Sequence, residues 1–231
     1  MTELRLTLRE IRLIIERLVQ AAGVAPGLLF AVRDAAVVSA ILPVAGLANH
    51  PAEIAALAAS SIKPASSSAG KDGVLQVDVA GQHPWLVAEA LLDIAVERFR
   101  LSGRGEVLVC GAVRPSELGV VAGLAEKHGL TAVCSEVAGG VLLEVRPRPA
   151  RAESLLDHIR REGHAVAADL WWPLYHASHA ALAPDSFESR RHAGTIRVEA
   201  DGRIVGRNDE DETDLSMLAA DPIRLRPASI P

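Results

Sequence analysis

His50 lies in the stretch GLANHP, Gly46–Pro51, between two Ala-rich helical stretches. An imidazole gains and loses its proton near neutral pH, so a histidine here is a candidate general acid or base. Pro51 can open a helix, PAEIAALAAS, which makes GLANHP its N-terminal loop. Unpaired backbone N–H groups and the helix dipole could hold an anion there, with Asn49 as a polar contact. The competing reading is an ordinary polar loop histidine. A second candidate is CGAVRPSELG, where Arg114, Pro115 and Ser116 fall at a helix start. Arg114 could hold a carboxylate or phosphate in a fork, with Ser116 beside free N–H groups. The plainer reading is helix capping by Ser116 and a solvated arginine. FESRRHAG concentrates Arg190, Arg191 and His192; the paired arginines could clamp an anionic ligand or answer the nearby acidic run DEDETD. YHASH puts His176 and His179 one helical turn apart on a common face, as two metal ligands require. No third ligand can be assigned and no Glu completes an H-E-x-x-H pattern. Trp171, Trp172 and Leu174 come just before, so a packed amphipathic helix is favoured and no metal is expected.

The elements that must position these residues follow from periodicity. Thr7 and Glu10 form a capping box ahead of Leu8, Ile11, Ile14, Ile15, Leu18 and Val19 at helical spacing, and Gly23 ends that helix. Pro26 opens a second helix that stops near Leu42, before Pro43. KPASSSAGKDG, residues 63–73, is a Ser/Gly-rich breaker and reads as a linker. After it the pattern alternates: VLQVDVA as a strand, HPWLVAEALLDIAVERFRLSG as a helix with Trp85 at core spacing, EVLVCGAV as a buried strand, and RPSELGVVAGLAEKHG as a helix. LTAVCSEV and GVLLEVRP read as strands, RAESLLDHIRREG as a helix closed by Gly163, and HAVAADLWW as one more strand. Strands separated by helices imply crossovers, hence a mostly parallel sheet. TIRVEADGRIVGR carries an Asp-Gly turn between alternating runs, the mark of a β-hairpin. The expected class is therefore α/β: an N-terminal helical segment, residues 1–62; an α/β domain, 74–207, ending in the hairpin; and an acidic, Pro-rich tail, 208–231.

Composition narrows the function classes. At 231 residues and 49% apolar but only 3% aromatic, the chain can bury a core built mainly of Ala, Val and Leu. A formal charge of −5, with arginines scattered among acids, argues against a grip on nucleic acid, which needs clustered cations. The charged N-terminus is unlike a signal peptide, and no run approaches the ~20 apolar residues of a membrane span, so a cytoplasmic location is expected. Cys110 and Cys134 sit in apolar runs, as buried thiols do. Neither G-x-G-x-x-G nor a P-loop occurs.

LTLREIRLIIERLVQAAGV, the following helix and GLANHP resemble the N-terminal helices of the malate/L-lactate dehydrogenase-like reductases, which end in a pattern close to G-I-D-S-H-G. HPWLVAEALLDIAVERFRLSGRGEVLVCGAVRPSELGVVAGLAEKHGLTAV is similar to that family's helix, strand, turn and helix. The likeness covers roughly the first three fifths of the chain. The resemblance implies that His50 is the proton donor to a 2-oxo or imino acid, with hydride from NADH or NADPH. It also implies that Arg114 or Arg190 holds a substrate carboxylate and that the protein is a homo-oligomer, a dimer first. The departures are Ala48 for the family's aspartate, Asn49 for its serine and Pro51 for its glycine, and a turn, Arg114–Gly119, without the family's histidine. They favour an alternative: a noncatalytic descendant using the same cleft to bind a small anion or a partner protein. With ESRRHAG and GRND near its end, the chain as a whole is also similar to a compact bacterial family of about this size that implies no activity.

Overall fold

The computed structural model describes residues 2–42, 46–70, 73–150 and 153–182, and the backbone of 197–198 and 204–205. Met1–Leu182 and Ala183–Pro231 form two compact units. In the first, β1 (Glu3–Leu6) leads into α1 (Leu8–Ala21), whose start carries the expected capping box. Thr7 Oγ1 accepts from the Glu10 backbone N–H, and the Glu10 carboxylate accepts from the Thr7 backbone N–H. The buried face of α1 is the predicted stripe, Leu8, Ile11, Ile14, Ile15, Leu18 and Val19. A 3₁₀ turn at Pro26–Leu28 opens α2 (Leu29–Ile41), which is buried almost all round in its second half. An all-round apolar helix belongs inside, and α2 packs against both α1 and α4 (Pro84–Ser102). Its small residues Ala35, Ala36 and Ala40 allow close approach. α3 (His50–Ala59) follows a 3₁₀ turn at Leu47–Asn49.

The main sheet has five strands in the order β2 (Ser66–Ala69), β3 (Leu75–Asp78), β4 (Gly105–Cys110), β6 (Gly140–Pro147), β5 (Leu130–Val137). The α/β class is the one expected; the balance of strand directions is not. Only β3–β4, joined through α4, is parallel; β2–β3, β4–β6 and β5–β6 are antiparallel. The crossover from β4 to β5 runs through a 3₁₀ segment, Pro115–Val120, the short α5 (Val121–Leu124) and a second 3₁₀ turn to His128, and it does leave those strands parallel. The tight turn after Val137 then inserts β6 between them, so each gains an antiparallel neighbour. Inward residues are in register, with Val107 opposite Leu143 and Val109 opposite Val141, and they pack under Trp85, Leu92 and Leu118.

Other elements depart from expectation for local reasons. The Ser-rich breaker forms the wholly exposed edge strand β2, since Ser tolerates an edge whose side chains face water. HAVAADLWW is a strand only over β7 (His164–Ala167), which pairs with β1; from Ala168 it turns into α7 (Ala168–Ala177). α6 (Leu155–Glu162) lies where predicted. In the second unit, β8 (Arg197–Val198) and β9 (Ile204–Val205) form the expected antiparallel hairpin. The acidic run, the Pro-rich tail and the segment with Arg190, Arg191 and His192 lie outside the described residues. Among the described residues no helix is long and apolar enough to cross a membrane.

Candidate functional site

The polar groups with the most unusual surroundings converge where β3 and β4 end. The carboxyl end of a parallel strand pair is where α/β sheets tend to place ligands. Two non-glycine residues there hold positive φ, Ala80 (53°) and Arg114 (54°). A left-handed conformation costs a non-glycine residue of order 1–3 kcal/mol and persists only where its surroundings enforce it. For Ala80 the enforcement is the Asp78 carboxylate, which accepts from the Ala80 N–H at 2.8 Å. For Arg114 it is Glu53. The guanidinium Nε lies 2.7 Å from both Glu53 oxygens and Nη2 lies 2.6 Å from Oε1, although 43% of the arginine side chain remains exposed.

Glu53 comes from α3 and is 3% exposed. With His50 and Leu57 it makes the buried face of that helix, at the i, i+3, i+7 spacing that stacks side chains on one side. Its second partner is His83, the N-cap of α4. His83 Nδ1 accepts from the Trp85 backbone N–H at 3.2 Å, so a neutral ring carries its proton on Nε2 and donates it to Glu53 Oε2 at 3.0 Å. Burial pushes the His83 imidazole below its ordinary value, against the pull of Glu53. Trp85, packed as predicted, donates its indole N–H to Glu117 at 3.0 Å, and the Ser39 hydroxyl donates to the same Glu117 oxygen at 2.8 Å. The network thus ties α2, α3, the start of α4 and the turn after β4 to one another, and its polar groups are partnered, as burial demands.

His50 also packs against Trp85, with ring centroids 5.3 Å apart. It is the first residue of α3 rather than a loop residue, and none of it is exposed. Nε2 is 3.0 Å from Ala36 O and Nδ1 is 3.4 Å from Gly46 O, so both ring nitrogens face backbone carbonyls. Burial lowers its proton affinity. The other sequence candidates scatter. Asn49 and Ser116 are exposed, and Ser116 makes no capping bond. Cys134 is inert, its thiol pushed up to about 11 by burial. His176 lies in the last turn of α7 and His179 in the 3₁₀ turn that follows it. Glu53, His83 and Glu117 were not singled out from sequence; the available signals were the i, i+3 spacing of His50 and Glu53 and the His-Pro-Trp helix start. Among the described residues no group of three or more His, Cys, Asp and Glu gathers as metal ligands do.

The class is an α/β protein with a buried carboxylate–imidazole pair, bridged to a part-exposed guanidinium, at the carboxyl end of its parallel strand pair. No family model matches the chain, and no curated protein matches it. Among solved structures the chain is similar to malate dehydrogenase from Entamoeba histolytica, at 15% identity and a TM-score of 0.47, covering 65% of this chain and 47% of that one. It is also similar to malate dehydrogenase from Pyrococcus horikoshii OT3, at 12% identity and a TM-score of 0.46, covering 78% of this chain and 66% of that one. The chain spans about half to two thirds of the length of these proteins.

Proposed function

We propose that this chain is a noncatalytic binding protein that holds a small anion, a phosphate or a 2-oxo carboxylate, at the exposed edge of Arg114. The observation that carries this reading is the strained Arg114 backbone, held by the fork to buried Glu53 while much of the side chain faces solvent. A buried carboxylate fixes the inner edge of the guanidinium, and the outer donors are preorganised for a second anion. The reductase alternative needs a proton donor that meets substrate. His50 has no exposed surface and its nitrogens face carbonyl oxygens, so the residues present do not fit a nicotinamide and substrate reacting beside it.

Thermal melting of the full chain with inorganic phosphate, pyruvate, NADH and NADPH tests this, because a ligand selective for the native state must raise the melting temperature. The expected result is a saturable rise with phosphate or pyruvate that Arg114→Gln removes, and no oxidation of NADH or NADPH in the presence of 2-oxo acids. Absence of any anion-dependent rise overturns the proposal. So does turnover of a 2-oxo acid that His50→Ala abolishes, which would put the reductase in its place.

A further inference from the structure

We propose that His176 and His179 form a two-imidazole site for a borderline divalent transition-metal ion, copper(II) ahead of zinc(II). The site is remote in sequence from the Arg114 cluster and independent of it.

The argument starts with how α7 ends. Trp171 and Leu174 are each 4% exposed and anchor the helix to the core, and the buried Ser178 hydroxyl donates to Tyr175 O at 2.7 Å. The helix then tightens into a 3₁₀ turn over Ser178–Ala181. His176, in the last turn of α7, and His179, in the 3₁₀ turn, are three residues apart and share the outer face, opposite the buried Trp171 and Leu174. Both histidines are exposed, with ring centroids 6.0 Å apart and planes at 84°.

That separation is close to what a shared ion needs. With metal–nitrogen bonds of roughly 2.0–2.1 Å, two imidazole centroids on one ion lie about 4.5 Å apart at a right angle and about 5 Å apart at a tetrahedral angle, so a small rotation of these exposed rings brings both to one ion. Among the described residues these two rings pack against aromatic neighbours: Tyr175 lies 5.6 Å from His176 and 5.0 Å from His179, and Trp172 lies 6.4 Å from His176. Ring contacts of this kind orient an imidazole without engaging its nitrogen lone pairs. Imidazole suits copper, zinc and nickel, and for equal ligands copper(II) binds tightest. With two protein ligands the remaining positions go to water, so the ion would be open on its solvent side.

The test uses untagged full-length protein and copper(II) alone, followed by tryptophan fluorescence and isothermal titration. Of the three tryptophans, Trp85 and Trp171 are buried and Trp172 is 46% exposed beside His176, so bound copper should quench chiefly Trp172. We expect saturable quenching with one ion per chain, zinc(II) competing more weakly. His176→Gln and His179→Gln should each weaken binding at least tenfold without changing the melting temperature of the metal-free protein, since both side chains are exposed. Trp172→Phe should remove most of the quenching but keep the calorimetric signal. Failure to saturate at micromolar copper(II), or binding unchanged in both histidine variants, overturns the proposal.

Discussion

Glu53 is the residue on which the cluster depends. It accepts from Arg114 and His83 together, so truncating it strands a buried imidazole N–H and frees a backbone held at positive φ. Glu53→Ala should lower stability by about 1–3 kcal/mol, the usual cost of a buried donor left unmade, measured as the shift in urea midpoint at constant slope. Arg114→Ala should cost at least as much, because it leaves the Glu53 carboxylate, 4% exposed, buried without its cation. The buried histidines supply a second prediction. His50 and His83 both have proton affinities lowered by burial from an ordinary value of 6.5, so the folded state keeps them neutral where the unfolded chain takes up protons. The unfolded state then binds more protons, and stability rises with pH in that range. Stability from this source is complete above pH 6.5 and declines as the pH falls below it. Urea midpoints at roughly pH 7.5 and pH 5.5 should fall apart in wild type and converge partly in His83→Gln; equal slopes in the two proteins would remove His83 from the account.

At the scale of elements, the fold depends on β6 lying close to β4. Gly140 opens β6, and a Cβ built there would come within 2.1 Å of Val109 O, the backbone of the neighbouring strand. Neither strand can yield without breaking its ladder. Gly140→Ala should therefore destabilise by roughly 1–3 kcal/mol, the range for overpacking, read from the thermal midpoint. Gly129→Ala is a useful contrast: its Cβ would meet nothing within 4 Å, so the left-handed φ of 69° supplies its whole cost. The same element scale explains which helices were legible. α1 and α4 carry long amphipathic patterns with caps and stand where periodicity placed them. The segment after Arg114 breaks into 3₁₀ and α pieces, as Pro115, Gly119 and Gly123 lower its helical preference.

At the scale of the whole chain, the central strands β4 and β6 are paired on both sides, while β2 is an exposed edge. Native-state hydrogen exchange should be slowest in β4 and β6 and near the unprotected limit in β2; comparable protection in β2 would refute this ranking. The sequence alone determined the α/β class, the start and inward face of α1, the burial of Trp85 and the C-terminal hairpin, because these follow from local periodicity, capping and turn chemistry. Only the tertiary structure decided that β6 slips between β4 and β5, since strand order depends on which edges meet. It also decided that Glu53 from α3, His83 from α4 and Arg114 from the turn after β4 meet, partners 30 and 61 residues from Glu53 along the chain. Such a meeting leaves no periodic trace in sequence. A buried carboxylate and the groups that neutralise it are recognisable only once the backbone has brought them into the same low-dielectric space.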